Sequence, residues 1–415
     1  MRATRSVLIP LGLAAAALVG AGLLAELALR LFIRPPQIYS VLLPGMRRTW
    51  EADPRFSHGI EGPAHYEVNE EGIRGRPFGA DSAEYRILLV GGSTTECSPL
   101  DEPETWGAIA ARELGHTRDG RAIWVGNVGR SGLTARDHAV TVKYLLRQYP
   151  RIDLVVVLVG VNDLTVALRP AGAYTLPRPI TDPEAERRQI RSTFMLAPGG
   201  FHEPATSMLL FDGAPWYKST ALYQLVKRAW LRHYARSRNL VQDASGSIYS
   251  VWREHRRTSP ALLPDMPDLT DPLVEYRRNL DATVEFAREG GADLVFLTQP
   301  TLWKPEITPA EEALLWLGGT GAFQEEPGHA YYAVPALVEG MGQYNRALLE
   351  VCAEAGLQCL DLAATIPADT SVFYDDVHFT ETGSAAVGHL LASHLRATRP
   401  DLFPPQGEPD PAPRR

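Results

Sequence analysis

Five short apolar runs, none of them alternating with polar residues, set the frame for this 415-residue chain. They are Arg86–Val90 (RILLV), Ile123–Val128 (IWVGNV), Asp153–Val159 (DLVVVLV), Asp293–Thr298 (DLVFLT) and Gln358–Leu362 (QCLDL). A strand buried on one face alternates in polarity, whereas a parallel strand covered on both faces does not. Amphipathic segments separate the runs at Thr105–Leu114, Ala135–Gln148, Leu273–Glu289 and Leu337–Ala355, and Gly383–Ala397 closes the series. This order predicts a doubly wound α/β sandwich. Ligands of such sheets bind beyond the carboxyl ends of the strands, so the strand-end loops are where chemistry is to be sought.

The alternation is interrupted between Asp163 and about Asp271, a stretch rich in proline and aromatic residues. A compact domain rarely carries a structureless loop of that length, so residues of about 164–271 are expected to form an inserted lid with some helix, for example over Trp216–Arg238. Thr301–Pro335 is a smaller excursion. The Pro-rich end of the chain, 401–415, reads as a disordered tail, and 35–80 as an irregular lead-in to a catalytic domain over 81–400.

Ahead of these lies Val7–Ala25, nineteen uncharged apolar residues preceded by Arg2 and Arg5. As a helix rising 1.5 Å per residue it would span roughly 28 Å, close to the hydrocarbon thickness of a bilayer. Residues 1–34 are therefore expected to be a signal anchor, a single transmembrane helix. A cleaved signal peptide is the competing reading, but no small-x-small site follows the run. Glu26 and Arg30 sit four apart in the orientation that favours an ion pair. Arg30, Arg34, Arg47 and Arg48 beyond the run oppose Arg2 and Arg5, so charge counting leaves the orientation open.

Forty-nine acidic against 41 basic residues give a net charge of −8. With no basic stripe interleaved with aromatics, nucleic acid is excluded as a partner. Three cysteines are too few for a disulfide framework and form no zinc-binding cluster. Cys352 and Cys359 either pair in an oxidising compartment or remain buried thiols. Cys97, four residues after Ser93, has no motif of a nucleophile around it.

Two signals carry chemistry. Gly91-Gly92-Ser93-Thr94-Thr95 follows the first run, where a sharp strand-to-helix turn would present the serine hydroxyl at the sheet edge. Near the other end stands Phe373-Tyr374-Asp375-Asp376-Val377-His378. A serine hydroxyl needs a base to remove its proton, and that base needs a carboxylate to hold one tautomer. Asp375 can reach the His378 ring; Asp376 is the alternative carboxylate. Asn127-Val-Gly-Arg-Ser-Gly132 follows the second run and Gly160-Val-Asn162-Asp163 the third, on the same predicted edge as Ser93. The Ser93 N–H, the Gly132 N–H and the Asn162 amide would supply three donors to an oxyanion. The plainer readings are that Gly132 only enters a helix and Asn162 only caps one.

Ser93, Gly132, Asn162 and His378, in that order, resemble the four blocks of the SGNH (GDSL-type) hydrolases, in a membrane-anchored bacterial type of member. The family's first block usually reads Gly-Asp-Ser, and here Gly92 stands for the aspartate. The resemblance implies a flavodoxin-like three-layer α/β/α sandwich with a five-stranded parallel sheet. It implies Ser93 as nucleophile, His378 as general acid/base, Asp375 as its orienting group, and Ser93, Gly132 and Asn162 as the oxyanion hole. No cofactor and no metal are implied. Val68–Arg76 and Glu104-Thr105-Trp106 look like segments common in anchored members and read as structural.

The expected function is hydrolysis of acyl esters, O-acetyl esters among them, through an acyl-enzyme outside the cytoplasm. The substrate would be an ester-bearing small molecule, a lipid or an acylated glycan. An O-acyltransferase acting on envelope polysaccharide would use the same triad, and a non-catalytic envelope assembly or glycan-binding protein would not need it. Trp216, Tyr217, Tyr223, Trp230, Trp252 and Trp303 can serve as stacking faces for a substrate or as the core of the insertion.

Overall fold

The computed structural model describes residues 3–32, 39–78, 84–149, 151–197, 200–201, 220–223, 225–226 and 246–406. Helix α1 (Ala3–Phe32) comes first, then the antiparallel pair β1 (Arg47–Glu51) and β2 (Pro63–Glu67), and the two-residue β3 (Arg74–Gly75). The central part of the chain follows as β4 (Glu84–Gly91), α2 (Ser93–Glu96), α3 (Trp106–Leu114), β5 (Ala122–Asn127), α4 (Ala135–Gln148), β6 (Leu154–Leu158) and α5 (Val161–Leu168). After α6 (Pro183–Thr193) and α7 (Ser247–Arg257) come α8 (Thr270–Glu289), β7 (Asp293–Leu297), α9 (Val334–Ala355) and α10 (Glu381–Thr398).

The main sheet is mixed, which corrects the expected all-parallel one. Its order is β7-β6-β4-β5-β3, with β7, β6, β4 and β5 parallel and β3 antiparallel to β5. Every residue of β6 is buried, as a central strand with helices on both faces requires. The fifth strand expected at Gln358–Leu362 is only a bridge, Leu297 to Leu360, with Leu360 N–H donating to the Phe296 carbonyl at 3.0 Å. Two constraints stop it there: Cys359 is tied back to Cys352 by a disulfide, and Asp361 caps a helical turn at Ala364 N–H. The lead-in supplies the fifth strand instead.

Two helix groups flank the sheet, α3 with α10, and α4 with α8 and α9. Gly388 lets α10 approach closely, since a Cβ there would stand 2.8 Å from the Trp106 carbonyl oxygen on α3. Of the inserted lid, α6 and α7 lie among the described residues, whereas most of the helix expected over Trp216–Arg238 lies outside them, as does the tail from 407. Among the described residues no helix is long and apolar enough to cross a membrane, so the transmembrane span expected over 1–34 is not found. The described end of α1 is engaged with protein. Glu26 accepts the Ala221 and Leu222 backbone N–H groups at 2.9 Å each.

Candidate active site

At the end of β4 the chain passes through Gly91 and Gly92 straight into α2, which makes Ser93 the first residue of a helix at the carboxyl edge of the sheet. Sterics require both glycines. A Cβ at Gly91 would lie 2.0 Å from Thr95 Oγ1 and 2.9 Å from the Leu158 carbonyl oxygen. One at Gly92 would lie 2.4 Å from Asn162 Nδ2. The side chain that the family's usual aspartate would place at 92 therefore has no room in this chain, because the Asn162 amide occupies it.

His378 stands in the loop that leads into α10, held by Tyr374 N–H donating to the His378 carbonyl at 3.0 Å. Its Nε2 is 2.7 Å from Ser93 Oγ and its Nδ1 is 2.7 Å from Asp375 Oδ2. Asp375 Oδ1 accepts the Val377 and His378 backbone N–H groups at 2.9 and 2.8 Å, and Trp316 Nε1 donates to Oδ2 at 3.0 Å. With Nδ1–H given to the carboxylate, Nε2 is left as acceptor for the serine hydroxyl.

The alternative carboxylate faces elsewhere. Asp376 accepts Trp303 Nε1–H at 2.8 Å and the Trp316 and Leu317 backbone N–H groups at 2.7 and 3.2 Å. Trp316 thus touches both carboxylates, and its ring lies nearly parallel to His378, 11° between planes at 6.4 Å. Nothing in the sequence marked Trp316, which sits 59 residues from Asp375 in a segment without periodicity.

Electrostatics divides the two acids. Burial pushes the Asp375 carboxyl up, but the adjacent imidazole and the donors from His378, Trp316 and Val377 outweigh it and hold the group below its ordinary value. For Asp376, burial and then the charge of Asp375 prevail and raise it to about 6. Burial disfavours the His378 imidazolium, yet Asp375 more than offsets that, and His378 titrates above its ordinary value.

The loop after β5 is laced to the turn that carries Ser93. Asn127 Nδ2 donates to the Thr95 carbonyl at 2.6 Å, Arg130 N–H to the Gly91 carbonyl at 3.1 Å, and Ser131 N–H and Oγ–H to Glu96 Oε2 at 2.7 and 2.6 Å. Gly132 then turns at φ +81°, a conformation that favours glycine, two residues before Thr134, the N-cap of α4. Asn162 lies in the first turn of α5, and its amide donates to the Leu133 carbonyl at 2.8 Å rather than capping the helix. One of its two amide hydrogens remains for a ligand.

Cys97 is a buried thiol pushed up to about 12 by desolvation, with Sγ on the Thr94 carbonyl at 3.3 Å, as befits wall material rather than a nucleophile. Beside Ser93 and His378 a small pocket is lined by Thr94, Cys97, Pro99, Leu100, Tyr374 and Phe379. Of the aromatic residues considered as stacking faces, Trp303 is buried, Trp252 packs 4.5 Å from Trp316, and Tyr223 packs against the small cluster around Tyr66. Trp216, Tyr217 and Trp230 lie outside the described residues. Among the described residues no group of three or more His, Cys, Asp or Glu is placed to hold a metal ion.

An α/β fold with a mixed sheet, and a serine, a histidine and an aspartate in one hydrogen-bonded line at its edge, define a hydrolase acting on ester bonds. The chain belongs to the GDSL-like lipase/acylhydrolase family, whose model matches residues 89–386. Solved structures similar to it include the acetylxylan esterase Axe2 from Geobacillus stearothermophilus. That match has 15% identity and a TM-score of 0.36, and covers 75% of this chain and 93% of that one. LAE5 from the metagenome of Lake Arreo is 12% identical with a TM-score of 0.37, covering 78% and 98%. A lipolytic protein of the G-D-S-L family from Desulfitobacterium hafniense is 11% identical with a TM-score of 0.35, covering 75% and 100%. No curated protein matches the chain.

Proposed function

We propose that the protein is an extracytoplasmic, membrane-anchored serine esterase that hydrolyses acyl esters, O-acetyl esters of small molecules or glycans among them, through an acyl-enzyme on Ser93. The observation that carries this reading is the unbroken line Ser93 Oγ, His378, Asp375, with 2.7 Å at both links. In this mechanism His378 Nε2 takes the Ser93 proton as Oγ attacks the ester carbonyl. The Ser93 and Gly132 N–H groups and the second Asn162 amide hydrogen stabilise the tetrahedral oxyanion. His378 returns the proton to the leaving alkoxide, which departs as the alcohol. Water, deprotonated by the same nitrogen, then releases the acid and restores Ser93. Asp375 keeps the imidazole in the tautomer that can accept a proton and stabilises the imidazolium.

Two observations support a location outside the cytoplasm. The Cys352–Cys359 disulfide is a bond of oxidising compartments. The other is the sequence of the N-terminus, where nineteen uncharged residues, Val7–Ala25, follow Arg2 and Arg5.

Labelling with a fluorophosphonate probe tests the chemistry. Wild type should label, and Ser93→Ala and His378→Ala should not; a folded wild type that stays unlabelled refutes the assignment. Separately, the full chain should sediment with membranes and a chain lacking residues 1–34 should stay in the soluble fraction with its labelling intact. A full-length chain found soluble removes the anchor from the proposal.

A further inference from the structure

The pocket beside Ser93 is bounded on one side by Cys97, Pro99 and Leu100 and on the other by Tyr374 and Phe379. Its volume is about 10 Å³, room for roughly one water-sized group. The lining is largely apolar, and its position against the nucleophile suits the acyl half of an ester rather than the alcohol of a sugar.

One wall of this pocket contains a residue in an unfavourable backbone conformation. Cys97 takes φ +49°, a left-handed conformation that residues with a side chain rarely adopt. Leu100, three residues on, ends a turn through its N–H on the Cys97 carbonyl at 3.1 Å. The group that fixes this segment comes from outside the family-matched part of the chain. Arg74 lies on β3 and is 1% exposed. Its Nη1 donates to the Glu96 and Cys97 carbonyls at 2.6 and 2.8 Å, on both sides of the left-handed residue. Nη2 donates to the Leu100 carbonyl at 2.5 Å, and Nε to Glu102 Oε2 at 2.8 Å. The guanidinium stacks over the Tyr66 ring at 4.7 Å. Four of its five N–H bonds are spent on this one loop, in a planar fork that a lysine ammonium has no geometry to copy.

The geometry points to Arg74 as a positioning residue that fixes the Cys97–Leu100 wall and so limits the enzyme to short acyl groups, of acetyl to butanoyl size. This rests on the esterase reading above and adds the acyl class and the residue that sets it. The lead-in is then part of the specificity apparatus: β3 pairs Arg74 with Asn127, the start of the loop that carries Gly132, while the same side chain holds the acyl wall.

The experiment uses the full chain and compares kcat and KM for 4-nitrophenyl acetate, butanoate and octanoate, with fluorophosphonate labelling of Ser93 as a separate readout. Wild type should favour acetate over octanoate by at least about 100-fold, since a single methylene that a pocket cannot accommodate is worth about 10–200-fold. Arg74→Lys should cut that preference by about tenfold or more while labelling persists. Glu102→Gln should cut it less, and Leu100→Ala should shift the optimum to longer chains. Arg74→Lys lowering all three esters in proportion marks a merely structural role and overturns the inference. Should Arg74→Lys not fold, unchanged preferences in both Glu102→Gln and Leu100→Ala overturn it. A wild type that labels at Ser93 yet takes octanoate as readily as acetate refutes the acyl limit alone. A wild type that does not label takes down the esterase reading with it.

Discussion

Substituting alanine for Gly92 isolates the placement of the Asn162 amide from every other feature of the site. Gly92 has φ −86°, so alanine introduces no left-handed strain, and the change is confined to one methyl group. That methyl would start 2.4 Å from Asn162 Nδ2. To reach the 3.4 Å of ordinary contact the amide must retreat by about 1 Å, and its bond to the Leu133 carbonyl, 2.8 Å at present, lies in the way. A 1 Å misplacement can cost about 10²-fold, and outright loss of one oxyanion donor costs about 10²–10³ in kcat, or ~2.7–4 kcal/mol. Gly92→Ala should therefore lose roughly 10²-fold in kcat with little change in KM. The weakened Asn162 bond is worth about 1 kcal/mol, so Tm should fall by only a few degrees. The decisive assay is a double-mutant cycle on 4-nitrophenyl acetate with Asn162→Ala. If both changes act through the same donor, the double variant should be hardly slower than Asn162→Ala alone. Additive losses, or a Gly92→Ala enzyme within about twofold of wild type, would refute the steric argument and with it the account of why glycine stands where the family usually has aspartate.

The two adjacent acids should separate in their effects. Asp375→Asn should lower kcat by about 10⁴, because the imidazole loses the tautomer that accepts a proton. Asp376→Asn, which turns an amide hydrogen toward Trp303 and the 316–317 backbone, should instead show as a lower Tm with a smaller loss of rate, and the reverse pattern would assign the wrong carboxylate. In a pH profile of kcat/KM, His378 must be neutral to act as base. Since Asp375 holds its pKa above the ordinary value, activity should fall as the pH drops through a midpoint above ~6.5. A midpoint clearly below 6.5 would contradict that coupling.

Much of this could be read from residue patterns. The uninterrupted runs located β4, β5, β6 and β7 to within two or three residues, because burial on both faces leaves no polar position to blur them. The amphipathic segments located α3, α4, α8, α9 and α10 for the corresponding reason, a single buried stripe. What escaped was of another kind. Strand β3 is two residues long and exists only because Arg74 and Gly75 meet Asn127 and Gly126, a pairing across more than fifty positions that no local pattern encodes. Gln358–Leu362 has strand-like composition, but a disulfide and a capping aspartate at its ends leave room for one bridge. Arg74 lay within a segment whose patterning was visible and whose task was not, since its four acceptors belong to a loop over twenty residues away.

The neighbouring carboxylates show why the excursion at 301–335 belongs to the site. Two fully buried aspartates in sequence would repel each other at great cost unless each had its own donors. The chain bends at this pair, and Asp375 faces the imidazole while Asp376 faces the Trp303 indole and the 316–317 backbone. Asp375 is satisfied by its own loop, by His378 and by one outside donor, the Trp316 indole; the three donors to the Asp376 carboxylate are the Trp303 indole and the Trp316 and Leu317 backbone N–H groups. Trp316 serves both acids, with its ring nitrogen on one and its backbone nitrogen on the other. A shift of that residue along its chain would unpair two buried charges together. The position of His378 is thereby fixed by a segment with no motif of its own, and a site of this design can vary the sequence of that segment widely provided two indoles and two backbone N–H groups stay where these stand.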